Sequence, residues 1–258
     1  MKWLKAFYQW MVFKRNGLIK DSYDDRDYVY DDNFKSGILS GDIRNNFFVS
    51  IRNQGSTNAC TGFASAYLMQ ILLFKLDASA IVSPEYNWYK ARELEGTQNR
   101  NVGVSLRDTL RVIFDFGVIQ EKHWRFTLFN HYRKPTVLVE GLASLFRELI
   151  VKSKLKYFNM GYYNVDSCLS AGYPVVCGIM VNKSFYGSND GIIKDDTPLN
   201  SSHAIVLLDK VLLGENYYYK FANSWGEGWG DAGFGYLPVK YFRLHSHNIW
   251  SIRIKEVK

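Results

Sequence analysis

One stretch constrains the fold of this chain more than any other. Residues 60–76, CTGFASAYLMQILLFKL, are apolar almost without interruption. Phe63, Tyr67, Ile71 and Phe74 recur at helical spacing, and Ala64, Leu68 and Leu72 form a second stripe. A helix apolar on most sides has no face to give to water, so it must be surrounded by the rest of the chain. With 258 residues, of which 47% are hydrophobic, there is enough chain to surround it without disulfides or structural metal. The same fraction excludes a disordered protein.

Further helices are signalled nearby. Ser83-Pro84-Glu85 places a cap and then a proline at the first helical position. Ser105 caps a helix that carries Leu106, Leu110, Ile113 and Phe114 and stops at Gly117. Residues 140–156 are expected to form a fourth. After about residue 157 the pattern changes to short apolar runs bounded by Gly, Asn, Asp and Ser: 174–181, 204–209, 217–223, 233–238 and 249–254. Helices followed by strands indicate an α+β fold, with a helical subdomain at about 45–130, a β subdomain at about 157–258 and a cleft between them.

Three cysteines, Cys60, Cys168 and Cys177, exclude a disulfide scaffold, and their spacing lacks a zinc-binding pair. At least one thiol is free, which favours a reducing compartment such as the cytoplasm; secretion through an atypical N-terminal segment stays open. Cys168 and Cys177 lie in or beside apolar segments and fit as small core residues. Cys60 differs. The polar loop Asn53-Gln54-Gly55-Ser56-Thr57-Asn58 leads directly into it, at the start of the buried helix, where backbone N–H groups and the helix dipole favour a thiolate. A cysteine nucleophile needs a base, and a base needs a group that orients it. His203 opens the strand-like run HAIVLL after a turn, and Asn223 opens NSWGEGWG twenty residues later. Asn223 is expected to accept a hydrogen bond from Nδ1 of His203, with Trp225 covering that bond.

These segments together resemble the papain-like cysteine peptidases. NQGSTNACTGFAS resembles the nucleophile motif of that family, with Gln54 at the oxyanion-hole glutamine and Cys60 at the nucleophile. HAIVLL is similar to the segment of the family's base, His203, and NSWGEGWGDAGFGYLP to that of its orienting residue, Asn223, with Trp225 and Trp229 beside it. His203 follows Cys60 by 143 residues and Asn223 by 163, in the family's order. Asp42-Ile43-Arg44 resembles the family's first mature strand, and residues 90–92 with Gly103–Leu110 resemble bacterial-type members. The resemblance implies a papain-like fold over residues 36–258, with a helical subdomain facing an antiparallel β-barrel-like one, and an N-terminal extension over 1–35. It implies peptide hydrolysis through an acyl-thioester on Cys60, substrate contacts at Gly103 and Trp229, and no cofactor. A papain-like binding protein without turnover, or an acyl or amide transferase, would share much of this pattern.

The departures from the family pattern are specific. Thr57 stands where many secreted members have a disulfide cysteine, Asn58 replaces a glycine, Thr61 a tryptophan, and Ser202 the glycine before the histidine. None removes a group that performs bond chemistry.

The remaining features are distributed charges and aromatics. The net charge of +7 is not concentrated on one face and accompanies no nucleic-acid-binding motif, so a peptide or protein substrate is expected rather than a nucleic acid. Residues 1–20 carry five cations and no acid, and residues 21–32 carry six aspartates against Arg26. The run at 3–13 is too short and interrupted to span a bilayer. It is expected to pack on the body, or else to lie at a membrane surface, and residues 1–20 to act as a short packing or occluding segment; a long inhibitory propeptide does not fit before Cys60. The Asp21–Asp32 segment is expected to be a solvated acidic loop. His245-Ser246-His247 would place two imidazoles on one strand face, without a third ligand to make a metal site.

Overall fold

The apolar run at 60–76 forms a helix in the computed structural model, which describes residues 17–29, 49–129 and 131–254. The chain enters as a two-residue strand, β1 (Leu18–Ile19). Helix α1 (Cys60–Lys75) follows, with every side chain from Cys60 to Leu73 buried. Next come α2 (Pro84–Leu94), β2 (Val104–Ser105) and α3 (Leu106–Asp115). The caps form as the sequence indicates: the Ser83 hydroxyl accepts from the N–H of Tyr86, and that of Ser105 from the N–H of Asp108. The fourth helix, α4 (Val137–Lys152), starts three residues earlier than its apolar spacing suggests, because Thr136 caps it through the N–H of Val139. It also ends earlier. Lys154 turns in the left-handed region, at φ 55°, and the chain becomes a strand.

That strand, β3 (Leu155–Asn159), was not evident from the run of residues and opens the second subdomain. After a short 3₁₀ turn come α5 (Val165–Ser170), β4 (Val175–Met180), α6 (Lys183–Gly187), β5 (Ser202–Leu213), β6 (Asn216–Ala222), β7 (Phe234–Pro238), α7 (Val239–His245) and β8 (Ser246–Ile254). Six strands make one antiparallel sheet in the order β3-β8-β4-β5-β6-β7. The fold is α+β with two subdomains, and α1 fills the space between them, packed on α2 on one side and on β5 on the other.

The approach of α1 to α2 is close enough to select one residue type. A Cβ on Gly62 would lie 2.6 Å from the carbonyl oxygen of Pro84 and 2.7 Å from Cβ of Trp88. Both obstacles are fixed, one by backbone and one by the root of a fully buried indole. On the cleft side, the segment before α1 is stitched across the seam. The Gln54 N–H donates to the Ser224 carbonyl at 2.8 Å, the Gly226 N–H donates to the Arg52 carbonyl at 3.1 Å, and Asn53 bridges Trp225. Arg52 in turn pairs with Glu121 at 2.9 Å and donates to the Val82 carbonyl. The Gly62→Ala substitution is therefore expected to lower stability by about 1–3 kcal/mol through overpacking, read as a shift in the urea midpoint.

Candidate active site

Cys60 is the first residue of α1, and no side chain caps that helix end. The first-turn N–H groups are left to face whatever lies at the terminus. Here that is the Cys60 sulfur, which is favoured as an anion by the N–H groups of Ala204, Thr61 and Cys60 itself. His203 is the second residue of β5, fixed by the Ile179 pairing on β4. Cys60, His203 and Gln54 line one pocket, together with Ser202, Trp225, Tyr186 and Gly17.

The imidazole is oriented by Nε2 rather than by Nδ1. His203 Nε2–H donates to Asn223 Oδ1 at 2.8 Å, which reverses the tautomer expected from the sequence and leaves Nδ1 as the nitrogen for the thiol. Asn223 is fully buried, and its oxygen also accepts from the N–H of Ser224. Trp225 lies tilted over the imidazole with ring centres 4.9 Å apart, and stacks on Tyr186 at 5.5 Å. Trp229 stands edge-on beneath Trp225 and donates to the Phe185 carbonyl, so it supports the wall of the site from within the core. The amide of Gln54 donates to the Thr57 carbonyl, and its oxygen accepts from the Ser224 hydroxyl at 2.5 Å. Ser224, whose part the sequence pattern did not indicate, thus joins the Gln54 side of the site to the Asn223 side.

Thr57, where the resemblance would place a disulfide cysteine, donates its hydroxyl to the Gln54 carbonyl at 2.8 Å, and the residue after it is tied by amide hydrogen bonds. The Asn58 N–H donates to Asn101 Oδ1 at 2.9 Å, and Asn58 Nδ2 donates to the Asn101 carbonyl at 2.8 Å. Cys168 and Cys177 are elsewhere, buried and unbridged. Cys168 faces the Tyr173 carbonyl and the Ser251 hydroxyl. His245 ends α7 against Tyr241, while His247 lies on β8, so the two histidines do not share a strand. Among the described residues, no group of His, Cys, Asp and Glu is arranged to hold a metal ion. No helix among them is long and apolar enough to cross a membrane.

Gly103 is buried and leads into β2, but the strand that pairs there belongs to the chain itself. β1 runs parallel to β2 with Leu18 opposite Val104 and Ile19 opposite Ser105. The Cys60 thiol donates to the Gly17 carbonyl at 3.0 Å. The Leu18 side chain lies over Gly178 of β4, where an added Cβ would come within 2.4 Å of it and 2.5 Å of the His247 ring. His247 is held there by Ser202, which donates to Nε2 at 2.6 Å, and by its own Nδ1–H to Asn248 at 3.0 Å. What remains of the pocket around Cys60 is about 10 Å³, room for one water at most. Of the N-terminal segment, Gly17 and Leu18 therefore occupy the cleft, while Ile19 and Lys20 are exposed; residues 1–16 and Asp42-Ile43-Arg44 lie outside the described residues.

Burial by this strap sets the charge state. It pushes the Cys60 thiol up to about 12 and the His203 imidazole down to about 4, the latter partly offset by Asn223. Burial in the closed form thus favours a neutral thiol and a neutral imidazole over the charged pair.

The sequence comparison decides the family. Residues 39–243 match the family described as papain family cysteine protease. The chain belongs to the papain family. It is 25% identical over 207 residues to an uncharacterized peptidase C1-like protein of Acanthamoeba polyphaga mimivirus, covering 73% of this chain and 64% of that protein. It is 21% identical over 193 residues to a cathepsin L-like proteinase of Fasciola hepatica, covering 73% and 56%. The chain thus spans less than two thirds of these curated relatives. Among solved structures, the cysteine protease xylellain from Xylella fastidiosa superposes with a TM-score of 0.79 at 23% identity, over 93% of this chain and 96% of that one. The papain-family fold therefore extends over nearly the whole chain.

Two measurements follow for the strap. Leu18→Glu places a carboxylate against Gly178 and Val104, so iodoacetamide is expected to alkylate Cys60 at least about tenfold faster than in the parent; an unchanged rate would show that Gly17 and Leu18 do not control access. Acid is expected to loosen the strap as well. The closed form keeps His203 neutral, so this contribution is complete above the ordinary imidazole value of about 6.5 and is lost as pH falls toward about 4. His247, also lowered by burial, acts with the same sign, while the raised Asp21 carboxyl opposes it in the carboxylate range. Hydrogen exchange at Leu18 should accelerate between about pH 6.5 and 5, corrected for intrinsic rates, and less so in His203→Gln.

Proposed function

We propose that this papain-family chain hydrolyses peptide bonds with Cys60 as nucleophile and is held closed by its own N-terminal strap. The observation that carries the reading is the Gly17 carbonyl. It sits on the Cys60 sulfur in a pocket that also holds Gln54 and His203. A peptide carbonyl is therefore already accommodated at the nucleophile, although in a pose that accepts the thiol proton rather than suffering attack.

When the strap leaves, water and substrate reach both groups, and the burial that favours the neutral pair is relieved. Nδ1 of His203 takes the Cys60 proton, and the helix N–H groups stabilise the thiolate. The sulfur attacks the substrate carbonyl carbon. The oxygen that becomes negative is met by the Cys60 N–H and the Gln54 amide. Asn223 holds the imidazolium so that its Nδ1 proton passes to the departing amine. Water then attacks the thioester, with His203 as its base, and frees the carboxylate and the thiol. Trp225 excludes water from the His203–Asn223 bond, which preserves the tautomer through both halves of the reaction.

The test uses the full chain in the Leu18→Glu background and a fluorogenic peptide library. Cys60→Ala or His203→Ala is expected to abolish turnover, and Gln54→Ala to cost about 10²–10³ in kcat. If Cys60→Ala cleaves as well as its parent, the peptidase reading is wrong. Acyl transfer to an added amine in preference to water would identify a transferase with the same thioester.

A further inference from the structure

The strap is fastened beyond Leu18 by carboxylates, and the residues that receive them form a built site. The Arg107 guanidinium grips Asp27 through two hydrogen bonds, Nε to Oδ1 at 2.9 Å and Nη2 to Oδ2 at 2.6 Å. In the first turn of α3, the Arg107 N–H points at Asp21 Oδ1 at 3.3 Å. The indole N–H of Trp250, fully buried on β8, donates to Asp21 Oδ2 at 2.8 Å. The expected solvated acidic loop is therefore anchored at two of its aspartates; only 10% of the Asp27 side chain is exposed. A cavity of about 400 Å³ adjoins this cradle, with Arg107, His247 and Tyr162 in its walls.

Removing the strap from Cys60 leaves these donors without acceptors. An indole N–H and a fork of guanidinium donors are each costly to leave without acceptors. At the Arg107 end, where the fork holds Asp27, the cradle therefore favours a carboxylate replacement, whereas burial beside Trp250 holds the Asp21 carboxyl above its ordinary range. The cradle is also continuous with the cleft: Asp21 lies three residues from Leu18, about 10 Å along an extended chain. A bidentate guanidinium selects planar carboxylates over amides.

We propose that the Arg107–Trp250 cradle is a carboxylate-recognising subsite of the cleft, and that in the open enzyme it takes an acidic side chain of the peptide substrate in place of Asp21 and Asp27. The word substrate rests on the peptidase reading; the selectivity for acidic peptides does not. The strap is then a template for what the open cleft binds, an aliphatic side chain near Cys60 and a carboxylate farther along.

The full chain carrying Leu18→Ser to open the cleft, with Asp21→Asn, Asp27→Asn and Cys60→Ala, retains the cradle, lacks its internal carboxylates and does not turn over. Fluorescein-labelled peptides, each with a single Asp or Asn scanned through positions on either side of a leucine, are titrated by anisotropy. At one position Asp is expected to bind about tenfold more tightly than Asn, and the contrast to shrink with added salt. Arg107→Gln should bring the ratio to about one, and Arg107→Lys, which keeps the charge without the fork, to a value between. A flat scan, or a contrast that survives Arg107→Gln in a protein with a cooperative melt, overturns the proposal. So does the outcome in which only a peptide of residues 17–29 distinguishes Asp from Asn, since the cradle would then serve the strap alone. Because binding is read without catalysis, a failure here is separate from a failure of Cys60 to cleave.

Discussion

A helix with no polar face must be enclosed, and most of this structure follows from enclosing α1. One side is taken by α2, which comes so close at Gly62 that no side chain fits between them. The other is taken by β5 and the sheet behind it. The N-terminus of α1 therefore emerges at the seam between two layers, and that is where Cys60 and His203 meet. Neither subdomain holds a complete site. The Cys60 thiol is supplied by the helix, the His203 imidazole and the Asn223 amide by the sheet side, and the Arg52–Gln54 segment, hydrogen-bonded to Ser224 and Gly226, keeps the two in register. Burial of α1, through Phe63, Tyr67, Leu68, Met69, Ile71, Leu72 and Leu73, each worth about 1.5–3 kcal/mol, thus also holds the geometry of the site.

The closed state shows that occlusion and electrostatics are one effect. Gly17 and Leu18 exclude water, and exclusion alone penalises every charged form in the pocket. The thiol and imidazole respond in opposite directions, so proton transfer between them becomes unfavourable while the strap is seated. No dedicated inhibitory charge is needed. Seated on Cys60, the strap fills the pocket and disfavours a charged thiol–imidazole pair by the same displacement of solvent.

Much of this was legible in the residues. The buried helix, the caps at Ser83 and Ser105, the change to strands and the Cys60, His203 and Asn223 constellation rest on spacing and on residue chemistry, which are local and survive in one dimension. What escaped was set by long-range contacts. β3 pairs with the distant β8, and its residues show no clean alternation. The His203 tautomer depends on which ring nitrogen the chain direction at β5 turns toward Asn223. The role of Ser224 needed the distance to Gln54, and the six aspartates after residue 20 looked like a solvated loop because Arg107 and Trp250 lie some 80 and 230 residues away. Trp229 appeared beside the site in sequence but lies behind Trp225 in space.

The Asn58–Asn101 pair gives the site a property that a sulfur bridge would not. It ties the loop before Cys60 to the segment before β2, within the helical subdomain, with amide hydrogen bonds. A thiol enzyme needs reducing conditions to keep its nucleophile from climbing the oxidation ladder, and those conditions break a scaffold that depends on disulfides. Here the two demands are uncoupled. Reductant that maintains Cys60 has no bond to cut in the framework around it, since the other two thiols are buried and unbridged. Redox chemistry can act on the reaction centre without acting on the architecture that positions it.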